Sequence, residues 1–154
     1  IGNTITGAGQ EITLCGRILD GNGEPVVDAL VEIWQADSNG TYAAEGFIGF
    51  ARSDTSNNVD SSYSFTTIKP GAVNASDAPY ISMIISMRGL LTHTYTRLYF
   101  SDEAQTNSND PVLSQIPEGR RATLLAQRHG DDPIPSYQFD VRMQGENETV
   151  FFAV

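Results

Sequence analysis

The stretch at residues 78–100 constrains the fold more than any other part of the chain. Its sequence, APYISMIISMRGLLTHTYTRLYF, contains two runs rich in β-branched and aromatic residues with little charge, and Gly89 lies between them. Two such runs with a short glycine-containing connection are typical of a β-hairpin. We therefore predict two adjacent strands that place much of their surface in a core.

Each predicted strand has two different sides, because successive side chains point to opposite faces of a sheet. In the first strand one side is purely apolar: Ile81, Met83, Ile85 and Met87. The opposite side is mixed: Tyr80, Ser82, Ile84, Ser86 and Arg88. In the second strand one side carries polar and aromatic groups: His93, Tyr95, Arg97 and Tyr99. We expect the apolar side to face the core and any functional site to lie on the mixed side.

The rest of the chain predicts further short strands separated by turns. We predict these strands at Glu11–Leu19, 29–35, Ser62–Ile68, 122–128, 137–143 and 149–154, and a loop at 41–58. Asp110 followed by Pro111 is a favourable start for a short helix. The predicted fold is all-β, an antiparallel β-sandwich of about seven to eight strands with a short helical excursion near residues 102–121. We expect residues 1–154 to form a single domain.

Composition excludes several classes of partner. The net charge is −10 and Lys69 is the single lysine. Nucleic acids and anionic membrane surfaces need a basic patch, so neither is an expected partner. Cys15 is the single cysteine, which rules out an internal disulfide and favours the cytoplasm. We expect its thiol to be buried and inert.

The residues alone offer few candidates for catalysis. His93 and His129 are the two histidines, and neither has a second histidine nearby in sequence, so a metal site built from this chain is not expected. Arg88 differs from its neighbours because it ends an otherwise uncharged strand and precedes Gly89. Two interpretations of Arg88 stay open: an arginine extended into solvent at a strand end, and a clamp for a carboxylate.

Three segments carry a resemblance to a known family. They are ITLCGRILDGNGEPVVDALVEIWQADSNGTY near the start, SYSFTTIKPG in the middle, and the tail TRLYFSDEAQTNSNDPVLSQIP…RRATLLAQR…YQFDVRMQGENETVFF. Together they resemble the intradiol ring-cleavage dioxygenases over about residues 8–154. The resemblance implies a β-sandwich and an activity that cleaves a catechol ring between its two hydroxyl-bearing carbons, with non-haem Fe(III) held by two tyrosines and two histidines.

The resemblance also implies that this chain has lost the metal ligands. Tyr80 and Ser82 stand where the family has its two histidines, and Val73 stands where it has a tyrosine. No catalytic residue and no bound metal are therefore expected in this chain. The tail resembles the α chains of the family's two-chain members, which pair with an iron-bearing β chain.

Several further expectations come from that likeness to α chains. They are Fe(III) in a partner β chain, assembly into a higher αβ oligomer, and protocatechuate and O₂ as substrates. Arg88 would reach towards the partner chain's pocket as a substrate-binding residue. Family α chains begin with a segment carrying a Thr-x-Gly-Pro-Tyr motif, and we expect that N-terminal segment to be missing here.

Two alternatives stay open from the sequence. The opening motif is shared with non-enzymatic β-sandwich binding modules of the transthyretin or carboxypeptidase-regulatory kind, although such modules do not explain the tail. A dioxygenase that is active on its own is the other alternative, and it would require this chain to bind iron.

Overall fold

A computed structural model describes residues 2–90, 92–130 and 133–153. These residues form nine strands: β1 (Glu11–Leu19), β2 (Leu30–Trp34), β3 (Phe50–Asp54), β4 (Ser62–Ile68), β5 (Tyr80–Ser86), β6 (Thr94–Phe100), β7 (Leu125–His129), β8 (Ser136–Gln138) and β9 (Val141–Arg142). Two short α-helices, α1 (Ala104–Asn109) and α2 (Pro111–Ser114), and a 3₁₀ helix (Glu118–Leu124) lie between β6 and β7. None of the described helices is long and apolar enough to cross a membrane.

The strands follow the order β3-β2-β5-β6-β7-β8-β1-β4, and β9 pairs with β1 beside this path. The predicted all-β sandwich and the helical excursion are confirmed, but the sheet is mixed rather than purely antiparallel and, over the described residues, contains nine strands rather than about seven to eight. Three pairings are parallel: β1 with β8, β1 with β9, and β6 with β7. The helical excursion makes the β6–β7 pairing possible, because parallel neighbours need a crossover connection rather than a tight turn.

The apolar sides of the strands form the hydrophobic core. Ile81, Met83 and Ile85 of β5 are fully buried, which confirms the predicted inward side of that strand. Gly16 of β1 lies against the backbone of Phe139, and a Cβ at this position would collide with that carbonyl oxygen. A glycine is therefore required where the chain before β9 passes over β1.

A buried aspartate fixes the start of the central hairpin. The Asp110 carboxylate is 2% exposed and accepts hydrogen bonds from the backbone N–H groups of Val112 and Leu113, which caps α2 as predicted. Its second oxygen accepts from the backbone N–H of Ala78 at 2.8 Å. One side chain thus links the helical excursion to the segment that leads into β5.

Five local predictions differ from the structure. The strand predicted at 122–128 begins only at Leu125, because the three residues before it end the 3₁₀ helix. The segment at 41–58 contains β3, which the sequence hides because its polar side chains face outward at the sheet edge. The strand predicted at 137–143 is divided into β8 and β9. Over its described part, the segment at 149–154 forms an isolated bridge between Phe152 and Tyr95 rather than a strand. Cys15 is exposed, because it alternates with the buried Leu14 and with Gly16.

Candidate functional site

The mixed side of the central hairpin faces away from the main core, and we call it the outer face, although Ser82 and Tyr99 on it are buried and Tyr99 belongs to a second, smaller hydrophobic cluster. Strand register places Ser82 of β5 between Trp34 of β2 and Arg97 of β6, and it places Tyr80 opposite Tyr99. Tyr95 is two residues from Arg97 on the same side of β6, so its hydroxyl reaches Ser82 at 3.0 Å. We call Tyr80, Ser82, Tyr95, Arg97 and Tyr99 the outer-face cluster.

Arg97 is the centre of this cluster. Its Nε donates to the Tyr95 hydroxyl at 3.3 Å, and its Nη1 donates to the Tyr99 hydroxyl at 3.5 Å. Its guanidinium carbon lies 4.2 Å from the centre of the Tyr80 ring and 5.8 Å from that of Phe152. Such contacts are attractive because the face of an aromatic ring carries negative charge density.

An aromatic pair borders the cluster on the β2 side. The rings of Trp34 and Tyr42 are stacked, with centroids 6.2 Å apart and planes 12° from parallel. Trp34 is 45% exposed although it is large and apolar, so this side of the cluster opens to solvent. Burial, followed by the proximity of the Tyr80 hydroxyl, raises the pKa of Tyr42 well above its usual range.

Tyr99, which accepts a hydrogen bond from Arg97, stays protonated at neutral pH. Burial raises the pKa of Tyr99 to about 12, and this effect outweighs the lowering by the hydrogen bond from Arg97. The Tyr99 hydroxyl is therefore a neutral hydrogen-bonding group. The positive charge of Arg97 lies among hydroxyl oxygens and aromatic rings.

The outer-face cluster does not fit an iron site. Fe(III) needs anionic oxygen and neutral imidazole ligands, whereas the five residues of this cluster present a serine hydroxyl and a fixed guanidinium charge and include no imidazole. A cation that cannot lose its proton would repel a metal ion placed among the same side chains. Within the described ranges, no group of three or more histidine, cysteine, aspartate or glutamate side chains is placed to hold a metal.

The structure separates the other candidates from this cluster. Val73 lies half-buried in the loop between β4 and β5. His93 lines a cavity of about 420 Å³ beside Tyr95 and Phe152, whereas His129 lines a different groove of about 450 Å³ along β7 and β8. The two histidines are therefore not brought together.

Arg88 lies beyond the end of β5 and points away from the protein. Its side chain is 91% exposed, and its Nε is 2.6 Å from the carboxylate of Asp28. It borders a small cavity of about 270 Å³ with apolar walls that include Met87, Met143 and Phe151. Across the described part of the chain, no hydrogen bond or ion pair joins Arg88 to the outer-face cluster.

Arg97 is the residue of this face that sequence reasoning did not single out. The sequence did contain an indication of Arg97, because Tyr95, Arg97 and Tyr99 are every second residue of β6 and therefore share one side of the strand. What the sequence lacked was the register that sets Arg97 opposite Ser82. Trp34 and Tyr42 were missed for the same reason, since they come from another strand and a loop.

A family model described as Dioxygenase matches residues 3–145. The chain belongs to the intradiol dioxygenase family. It is 46% identical to the protocatechuate 3,4-dioxygenase alpha chain of Burkholderia cepacia, over 95% of this chain and 78% of that one. It is 29% identical to the protocatechuate 3,4-dioxygenase beta chain of the same organism, over 92% of this chain and 67% of that one.

The fold is shared with solved intradiol dioxygenases. The dioxygenase domain of a dioxygenase–carbohydrate-binding protein fusion from Streptomyces sp. SirexAA-E superimposes with a TM-score of 0.72 at 23% identity, over 96% of this chain and 88% of that one. At this identity the likeness concerns the fold. Family membership decides against the alternative of an unrelated transthyretin-like binding module.

Proposed function

We propose that this chain is the non-catalytic α subunit of a protocatechuate 3,4-dioxygenase and that it pairs with an iron-bearing β chain. The proposal is supported by the greater identity to an alpha chain, 46%, than to a beta chain, 29%. The assembled enzyme would use O₂ to cleave protocatechuate to 3-carboxy-cis,cis-muconate. This chain would contribute residues 1–154 as one intradiol-dioxygenase-like domain.

One observation carries the non-catalytic assignment: Arg97 lies opposite Ser82 and contacts the ring of Tyr80. Tyr80 and Ser82 are the positions at which the family resemblance expects histidine ligands. A guanidinium among them makes the face unsuitable for Fe(III). Fe(III) held by the partner would supply the oxygen chemistry, and no cofactor would be bound by this chain.

The proposed contribution of this chain to the partner's pocket is Arg88. An exposed ion pair of the kind that Arg88 forms with Asp28 is weak, so its guanidinium can exchange partners at little cost. Guanidinium groups pair in a bidentate manner with carboxylates, and protocatechuate carries one carboxylate. Arg88 would therefore lie near the carboxylate of the substrate or at the mouth of the partner's pocket.

The setting that we propose follows from the same assignment. The α and β chains would assemble into a higher αβ oligomer in the cytoplasm. With a net charge of −10, this chain would bind neither nucleic acid nor an anionic membrane. Its functional partners would be the β chain, protocatechuate and O₂.

Metal stoichiometry tests the proposal. Iron would be measured by mass spectrometry on the purified αβ enzyme and on this chain expressed alone. We expect one Fe(III) per αβ pair and none in this chain, together with a visible phenolate-to-iron absorption band in the αβ enzyme. Two irons per pair, or stoichiometric iron and the same band in this chain alone, would support the alternative of an independently active dioxygenase.

A further inference from the structure

We propose that the outer-face cluster binds a small aromatic monocarboxylate, with Arg97 as the charged group that recognises it. The proposal rests on the proposed function only in taking this chain as part of an αβ assembly, and it gives Arg97 a ligand, which the proposed function does not.

The first argument is the incomplete pairing of Arg97. A guanidinium has five N–H donors, and Arg97 uses two of them in bonds of 3.3 and 3.5 Å to tyrosine hydroxyls. Among the described residues, no carboxylate lies within 4 Å of it, although the chain has 19 acidic residues. Arg52, by comparison, has Glu32 at 2.8 Å. Arg97 therefore retains donors for an anion from outside the chain.

The second argument is the surroundings of those donors. Arg97 is half-buried, so a hydrogen bond between it and a carboxylate would be less screened by water than one at a fully exposed arginine. The hydroxyls of Ser82 and Tyr95 share a hydrogen bond of 3.0 Å beside the guanidinium, and the hydroxyl that accepts in that bond can turn its own O–H towards a second carboxylate oxygen. Burial raises the pKa of the nearby Tyr99 to about 12, so the Tyr99 side chain adds no negative charge that would repel an anion at neutral pH.

The third argument sets the class of ligand. The rings of Tyr80 and Phe152 lie near the guanidinium, and the exposed Trp34 stacks on Tyr42 at the neighbouring strand. Rings of this kind favour a flat aromatic body through stacked or tilted contacts. The positive charge of Arg52 on the same sheet face is offset by Glu32. One uncompensated charge matches a monocarboxylate better than a phosphate.

Crystals of the native αβ assembly soaked in 4-bromobenzoate test the site directly. We expect an anomalous bromine peak beside Arg97, and no such peak with neutral 4-bromobenzyl alcohol. A carboxylate of the β chain already seated on the guanidinium would overturn the proposal, because the anion would then come from the assembly itself. Absence of bromine beside Arg97 would overturn it as well.

A binding measurement in solution shows whether the ligand also binds at concentrations lower than those used to soak crystals. Titration of 4-fluorobenzoate followed by ¹⁹F NMR would compare the wild-type assembly with Arg97→Gln and with Arg97→Lys. We expect affinity for the site to fall at least about tenfold in Arg97→Gln, as for loss of a charge-assisted hydrogen bond, and less in Arg97→Lys. Arg142→Gln is the matched control, since Arg142 is an exposed arginine of β9, and it should bind like wild type.

Unchanged affinity in Arg97→Gln would refute the role of the charge. Should that variant fail to assemble, the comparison of charged and neutral ligands on the wild type still decides the question. The iron content of the assembly is a separate measurement. Loss of the proposed site with one iron per αβ pair would leave the proposed function intact.

Discussion

Arg97 and Ser82 lie directly opposite each other on the outer face of the central hairpin. The Tyr95 hydroxyl joins them, because it lies 3.0 Å from the serine hydroxyl and accepts from Arg97 at 3.3 Å. The positions at which the family resemblance expects histidines are thus part of a network organised by a fixed positive charge. Restoring those histidines without removing the charge should fail.

Metal binding by designed variants tests this relationship. Tyr80→His combined with Ser82→His places two imidazoles two residues apart on one strand face, a spacing that suits Co²⁺. We expect weak Co²⁺ binding in the double variant and at least about tenfold tighter binding when Arg97→Gln is added, because unit charges near 4 Å interact by about 1–4 kcal/mol.

Isothermal titration and the visible spectrum of Co²⁺ would measure the difference. The control adds Arg142→Gln to the double variant instead, which removes a positive charge from a different strand, β9. Equal affinities with and without Arg97 would show that its charge is not what makes this face unsuitable for a metal.

The buried Asp110 should contribute strongly to stability. Asp110→Ala would remove the cap of α2 and the acceptor for the Ala78 N–H, and it would leave buried N–H groups unpaired. We expect the free energy of unfolding to fall by about 1–3 kcal/mol in urea titrations. Asp77→Ala is the matched control, since the Asp77 side chain bonds to Asn74 within one turn and should matter less. Equal losses in both variants would contradict the proposed link.

Local sequence patterns were sufficient to predict most of the fold. The alternation in β1, the apolar β-branched run of β5 and the Asp110–Pro111 pair were sufficient to predict those elements, because burial and capping are decided by near neighbours. Two features could not be obtained in this way. β3 is an edge strand with a polar outer side, and the parallel pairings depend on contacts between distant parts of the chain.

The candidate site was predictable to a smaller extent. The family resemblance pointed to Tyr80 and Ser82, and the alternation of the strand pointed to the mixed side. Arg97 needed the register of β5 against β6, which side-chain patterns alone do not determine. Arg88 was predicted to end the first strand, whereas β5 ends at Ser86 and Arg88 follows it. Its proposed contact with a partner pocket depends on a second chain.

Arg88 should affect substrate binding more than chemistry. In the αβ enzyme, Arg88→Ala would remove a carboxylate partner, and we expect KM for protocatechuate to rise several-fold, with a smaller change in kcat and unchanged iron content. Steady-state kinetics would measure this. Asp28→Ala is the matched control, because it releases Arg88 from its ion pair without removing the guanidinium, and KM should not rise. If both KM and kcat were unchanged in Arg88→Ala, Arg88 would be an exposed surface residue with no role in substrate binding.

Asp102 makes the chain sensitive to acid. Burial acts to raise the pKa of Asp102, but hydrogen bonds from Arg128 and Tyr137 outweigh it, and the pKa is lowered below its usual value of 3.8. A lowered pKa in the folded state means that the carboxylate stabilises the fold above pH 3.8 and that this contribution is lost as the pH falls through the folded-state pKa. Asp102→Asn should therefore lower the Tm at pH 7. The difference in Tm between Asp102→Asn and wild type should become smaller below pH 3.8, and thermal scans across pH 2–8 would measure it. A difference in Tm that stays constant over this range would show that the interaction of Asp102 with Arg128 and Tyr137 does not depend on its charge.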